Sequence, residues 1–205
     1  MTRIKICGIK ELENAKQVAA LNIDFMGLIF AKSPRQVSLN LAKNLSELIQ
    51  KNGKKAIGVF VDESDELIIN SALKARLNGV QIQKSIDKSL FERLKELNLS
   101  VWQVISVGQD LQIPTEINAD LVLFDTKGAL KGGNGVKFNW DLLKNYDKEF
   151  ALAGGLGMDN ATFALNATNT KGQKPCILDF NSRVEKEVGI KDVGLIQEIL
   201  AKIRR

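Results

Sequence analysis

The sequence predicts an α/β chain folded as one (β/α)8 barrel, and three observations carry that reading. Short apolar runs alternate with amphipathic helical stretches along the whole chain. Glycine and proline mark the joints and no linker divides them, so residues 1–205 read as a single domain. Eight strand candidates and about eight helices fit a closed barrel better than a doubly wound open sheet, which usually has fewer strands.

The elements follow in order. RIKIC (3–7) is a short strand closed by Gly8, and FMGLIF (25–30) and AIGVFV (56–61) are the next two apolar runs. GVQIQ (79–83), LSVWQVI (99–105) and DLVLFD (120–125) continue the series, and EFALAG (149–154) and PCILDF (175–180) complete it. Between them, LNLAKNLSELIQ (39–50), ELIINSALKARL (66–77), SLFERLKEL (89–97) and DVGLIQEILAKI (192–203) repeat apolar residues at three- and four-residue spacing, as helices do. The stretch GQDLQIPTEINA is weaker and holds at most a short helix.

Composition narrows the function classes. At 44% hydrophobic and 26% charged, the 205 residues suit an ordinary globular protein with one well-filled core. No apolar run reaches membrane-spanning length and no signal-peptide pattern opens the chain, so no membrane partner is expected. Two cysteines make no disulfide framework, which points to a reducing, cytoplasmic setting. The net charge of +5 is spread over polar helix faces beside acids, as in Glu92, Arg93, Lys95 and Glu96. Nucleic acid is therefore not an expected partner. There is no histidine, the usual acid–base group near neutrality.

A barrel of this kind carries its chemistry at the carboxyl ends of its strands. Those ends are unusually polar here: Cys7-Gly8, Lys32-Ser33-Pro34-Arg35, Asp62-Glu63, Gln81-Ile82-Gln83, Asp125-Thr126 before GALKGGNG, Ala153-Gly154-Gly155 and Asp179-Phe180-Asn181-Ser182. Taken singly, a strand-terminal Asp is often a cap, GGNG a turn, and a free cysteine a small hydrophobe. Their joint position on one rim is what points to a site.

The set KICGIK, FAKSPRQVS, GVFVD, GVQIQ, LFDTKGALKGGNGVKFNW, LAGGL and DFNSRVE followed by GIKD resembles the phosphoribosylanthranilate isomerases of tryptophan biosynthesis, in order and across essentially the whole chain. The resemblance implies a TIM barrel without cofactor or metal. It also implies an Amadori rearrangement of N-(5-phosphoribosyl)anthranilate to 1-(2-carboxyphenylamino)-1-deoxyribulose 5-phosphate. On the matching positions Asp125 is the general acid and Cys7 the general base. Arg35 matches the arginine that holds the anthranilate carboxylate, a task suited to a planar fork of donors. Gly154, Gly155, Asn181 and Ser182 belong to the phosphate cradle, where glycines let backbone N–H groups approach closely. Gln83, Gly133, Asp179 and Arg183 complete the expected substrate-binding set. Two positions depart from the family pattern: Gln83-Lys84 stands where a histidine and a glycine are common, and Arg183 where glycine is common.

The partner so implied is a small phosphorylated substrate, and the protein a monomer or a homodimer. A different phosphosugar isomerase or epimerase, or a silent barrel kept as a binding module, are the alternatives. Three structural expectations follow. Alternation puts Arg3, Lys5 and Cys7 on one face, so Lys5 points inside and Asp179 on the neighbouring strand is its partner. Cys7 and Cys176 are free thiols, with Cys176 buried. Lys5 favours the thiolate of Cys7, while Asp125 is held protonated.

Overall fold

The computed structural model describes residues 1–126 and 139–204. Its elements run β1 (Arg3–Cys7), α1 (Leu12–Ala19), β2 (Phe25–Ile29), α2 (Leu39–Lys51), β3 (Lys55–Phe60), α3 (Asp65–Lys74), β4 (Gly79–Ile82), α4 (Lys88–Glu96), β5 (Ser100–Val107) and β6 (Leu121–Thr126). A 3₁₀ turn at Trp140–Asn145 follows, then β7 (Phe150–Leu152), α5 (Ala161–Asn166), β8 (Ile177–Phe180), a 3₁₀ turn at Ser182–Val184, β9 (Glu185–Glu187), β10 (Ile190–Lys191) and α6 (Val193–Ile203).

The eight strands β1 to β8 pair in parallel and in order, and β8 closes on β1. Each core strand lies close to its expected span. The helices begin where the sequence supplies an oxygen for their free N–H groups. Glu11 caps α1, Ser38 α2, Ser64 α3, Asp87 α4 and Asp192 α6, each accepting from a first-turn backbone N–H. Two connections depart from strict βα alternation. No helix forms between β5 and β6, where Ile113-Pro114 interrupts any helical run, and the described part of the β6–β7 connection carries only the 3₁₀ turn. The expected eight helices are thus six α-helices and two 3₁₀ turns among the described residues.

Alternation along the strands divides the core in two. Outward residues such as Ile4, Ile6, Met26, Phe60, Phe124 and Phe180 are buried between sheet and helices. Inward residues Phe25, Ile57, Trp102, Leu123, Ala151 and Ile177 plug the barrel, with the Phe25 and Trp102 rings edge-on at 5.1 Å. A separate buried group of Cys7, Ile29, Ala31 and Val59 forms from the carboxyl ends of β1 to β3 and the residues just beyond. The plug fixes the strand ends, and the strand ends carry the polar groups.

One further device lies at that rim. After β8 the chain forms an antiparallel ribbon, β9 with β10. Asn14 on α1 pins it, donating to Lys191 O at 2.9 Å and accepting from Lys191 N at 2.7 Å, with its own side chain buried.

Candidate active site

Strand closure brings Lys5 and Asp179 into register, and their charged atoms meet at 2.6 Å with the ammonium fully buried. Burial alone would push Lys5 down, but the charge of Asp179 and the nearness of Cys7 more than offset it, so the ammonium persists. Gly27 makes room for this group: a Cβ there would lie 2.7 Å from Cys7 Sγ and 3.1 Å from Lys5 Nζ.

Cys7 is 4% exposed and unbridged. The sequence led us to expect a thiol pushed toward ionisation, and the structure corrects this. Burial drives the Cys7 thiol up, and the opposing charges of Lys5 and Lys191 do not overcome it. Burial thus favours the neutral thiol of Cys7 in the ligand-free protein. Cys176 is free as expected, but it stands just before β8 and is half-buried rather than enclosed. Burial there pushes it up to about 11.

Asp125 sits near the end of β6, three strands from β1 around the closed barrel by way of β7 and β8. Burial and the neighbouring Asp179 charge raise its carboxyl from 3.8 to about 6. The two groups named as acid and base are therefore both moved toward their protonated forms.

Arg35 lies on the loop that leaves β2 and turns back at once. Gln36 bridges to Ile29, and its side chain donates to Phe30 O at 2.8 Å, so the loop folds over the rim. Gly8 follows Cys7 with φ of 82°, and a Cβ there would meet Asn181 Oδ1 at 2.7 Å and Arg35 Cδ at 2.8 Å. Arg35, Gly8 and Asn181 thus pack together behind the cysteine. The Arg35 guanidinium is held by Glu185, Nε to Oε1 at 2.9 Å and Nη2 to Oε2 at 2.7 Å.

On the loop after β7, Gly154 and Gly155 both have positive φ, 88° and 63°. A Cβ on Gly154 would come within 2.5 Å of Thr126 N, so only glycine lets this loop lie against the end of β6. Ser182 and Asn181 follow β8 and are partly exposed. Arg183 turns away from the ribbon toward the β7 loop, donating to Gly155 O at 3.0 Å and pairing with Asp159 at 2.9 Å. Gln83 is exposed just past β4, its N–H on Phe60 O at 3.0 Å. Gly133 lies outside the described residues.

Three residues received no role in the sequence reading of the site, although Gln81 stood among its polar strand ends. Gln81 is 4% exposed, in register with the inward-facing Trp102, and its Oε1 has no hydrogen-bond partner among the described residues. Glu185 and Lys191 sit in DFNSRVE and GIKD, but the sequence reading gives neither of them a role. Only the ribbon's pairing reveals that they face inward: the Lys191 side chain is 0% and the Glu185 side chain 5% exposed, at 2.7 Å from each other.

The chain as a whole resembles known proteins over nearly its full length. Residues 4–202 match the family model described as N-(5'phosphoribosyl)anthranilate (PRA) isomerase. An N-(5'-phosphoribosyl)anthranilate isomerase of Campylobacter jejuni is 53% identical over 205 residues, covering 100% of both chains. A phosphoribosyl anthranilate isomerase from Thermus thermophilus superposes with a TM-score of 0.85 at 24% identity, over 99% of this chain and 98% of that one. Another such isomerase, solved in complex with reduced 1-(o-carboxyphenylamino)-1-deoxyribulose 5-phosphate, gives a TM-score of 0.77 at 26% identity over 100% and 99%. With a closed eight-stranded barrel and a match over nearly its full length, the chain belongs to the N-(5'-phosphoribosyl)anthranilate isomerase family.

Proposed function

We propose that residues 1–205 act as one catalytic domain that isomerises N-(5-phosphoribosyl)anthranilate, with Asp125 as acid and Cys7 as base. The protonated Asp125 gives its proton to the ribose ring oxygen, the C1′–O bond breaks, and the nitrogen lone pair forms the iminium. The Cys7 thiolate removes the proton on C2′, and the C–H electrons become the C1′=C2′ bond of a neutral enolamine. Tautomerisation then moves the enol proton to C1′ and leaves the ketone. No atom is gained or lost, and no cofactor is called for.

The observation that carries this reading is the pair of raised protonation values at the rim, with the Asp125 carboxyl brought up to about 6, near neutrality, and the Cys7 thiol raised as well. With Asp125 at about 6 and Cys7 above its ordinary value, the two groups share one proton at neutral pH. At rest it sits on sulfur, whereas the reaction needs it on the carboxyl. Bound substrate supports the transfer from both ends. Its own anionic groups and the loss of water raise Asp125, and the iminium draws charge onto sulfur. Arg35 takes the anthranilate carboxylate. Gly154, Gly155, Asn181 and Ser182 take the phosphate through their backbone, with Arg183 fastening the first of these loops. Gln83 and Asp179 line the mouth, the latter mainly as the partner of Lys5. A thiol base is lost on oxidation, which favours a reducing cytoplasm as the place of work.

The test is turnover itself. Wild-type protein given N-(5-phosphoribosyl)anthranilate should consume its anthranilate fluorescence catalytically. A silent barrel would leave the signal unchanged, and an isomerase for another phosphosugar would convert that sugar instead.

A further inference from the structure

Arg35 is the expected anchor for the substrate carboxylate, yet it already holds a carboxylate. The geometry of that contact is informative. A guanidinium has two edges that can grip a carboxylate in parallel, the side edge of Nε with one Nη and the end edge of the two Nη atoms. Glu185 occupies the side edge, through Nε at 2.9 Å and Nη2 at 2.7 Å. Among the described residues no hydrogen bond is made by the end edge, Nη1 with the second N–H of Nη2, which can take another ligand.

Glu185 is itself held in place. Lys191 Nζ donates to Glu185 Oε1 at 2.7 Å and to Asn181 O and Oδ1 at 3.1 Å each, and Gly189 N donates to Oε1 at 3.1 Å. Asn14 fixes the Lys191 backbone from α1. The side chains of Arg35, Glu185 and Lys191 are 10%, 5% and 0% exposed. Burial would push Glu185 up, but the hydrogen bonds from Arg35 and Lys191 hold it below the usual carboxylate range. Two cations thus share one carboxylate, leaving a positive charge for an anion at the mouth. The chain of contacts runs from Arg35 at the aromatic end to Asn181 in the phosphate loop.

We propose that Glu185 and Lys191 are positioning residues that grip Arg35 by its side edge and present its end edge to the substrate's ring carboxylate. This inference rests on the reading of Arg35 as that carboxylate's anchor, and goes beyond it by naming what aims the arginine. An unheld arginine would lose several rotatable bonds of freedom on binding. Held by Glu185, it meets the ligand already ordered.

The experiment uses two ligands: the reduced product analogue 1-(2-carboxyphenylamino)-1-deoxyribitol 5-phosphate, and the same compound without its ring carboxylate. The ratio of their dissociation constants isolates the carboxylate contact. Wild-type protein should favour the carboxylate analogue by about tenfold or more, and Arg35→Ala should bring the ratio near one. Glu185→Gln keeps the shape but removes the charge and one acceptor. It should cut the ratio by most of that factor, with the affinity of the carboxylate-free analogue within about threefold of wild type, a smaller change than the loss of one charged hydrogen bond. Equal loss for both analogues would mean a merely structural Glu185 and overturn the inference. Tighter binding of the carboxylate analogue would overturn it too, because Glu185 would then be competing with the ligand. A collapsed ratio in Arg35→Ala with a wild-type ratio in Glu185→Gln would refute positioning alone. An unchanged ratio in Arg35→Ala would refute the anchor and the inference together. Should Glu185→Gln not fold, Glu185→Asp, which pulls the grip back by one methylene, should show the same fall, and a wild-type ratio there would overturn the proposal.

Discussion

Lys5 and Asp179 face each other across the seam where β8 closes on β1, 2.6 Å apart inside the barrel. The pair joins the closing strands below Cys7. Asp179 also raises Asp125, while Asp179 Oδ1 has no hydrogen-bond partner among the described residues.

Removing one partner should therefore be worse than removing both. Lys5→Met leaves a buried carboxylate without its counter-charge, which costs about 3–5 kcal/mol for such pairs. Lys5→Met with Asp179→Leu removes the charge as well and should recover part of that loss. Chemical denaturation of the two variants checks this. Equal stabilities would mean that the pair is not coupled.

This pair was legible in the sequence, because strand alternation and barrel closure suffice to bring its members together. Cys7, Asp125 and Arg35 were legible as rim residues for the same reason. The ionisation of Cys7 was not, since the balance between burial and Lys5 depends on packing depth. Nor was the clamp on Arg35: Glu185 and Lys191 belong to a two-stranded ribbon whose pairing no helical or strand periodicity announces. The missing helix between β5 and β6 was foreshadowed by the weak pattern and the proline of GQDLQIPTEINA.

Asp125 should carry a stability cost at neutral pH, where its buried carboxyl ionises. Its folded value of about 6 lies above its ordinary 3.8. A raised carboxylate favours folding fully below the unfolded value, and that contribution is lost as pH rises through the folded value. Asp125→Asn should therefore match wild type in melting temperature near pH 4, on the order of the unfolded value, and exceed it at pH 8, well above the folded value of about 6. The two-unit shift bounds the gain at about 3 kcal/mol, reduced by residual solvent access. A melting difference independent of pH would contradict the shift.

The shared proton also sets the pH profile. Below about 6 both Asp125 and Cys7 are protonated, so the base is lost as pH falls. Above that value the pair holds one proton until Cys7 itself ionises, and the reactive form keeps a constant share. Wild-type kcat/KM should thus rise through pH 6 and stay flat into the alkaline range. In Asp125→Asn the residual activity should climb steadily with pH toward the Cys7 value. Should the limb near 6 persist in Asp125→Asn, it belongs to the substrate's phosphate instead.

The central claim is that the thiol of Cys7 is the base, and turnover by folded Cys7→Ala tests it most directly. Burial of so small a side chain makes the variant foldable, which circular dichroism and thermal melting would establish. Turnover should fall by at least about 100-fold, and Cys7→Ser should fall nearly as far because its hydroxyl is a much weaker base. A folded Cys7→Ala protein with wild-type turnover would contradict the claim and leave Cys7 a small buried residue at the end of β1.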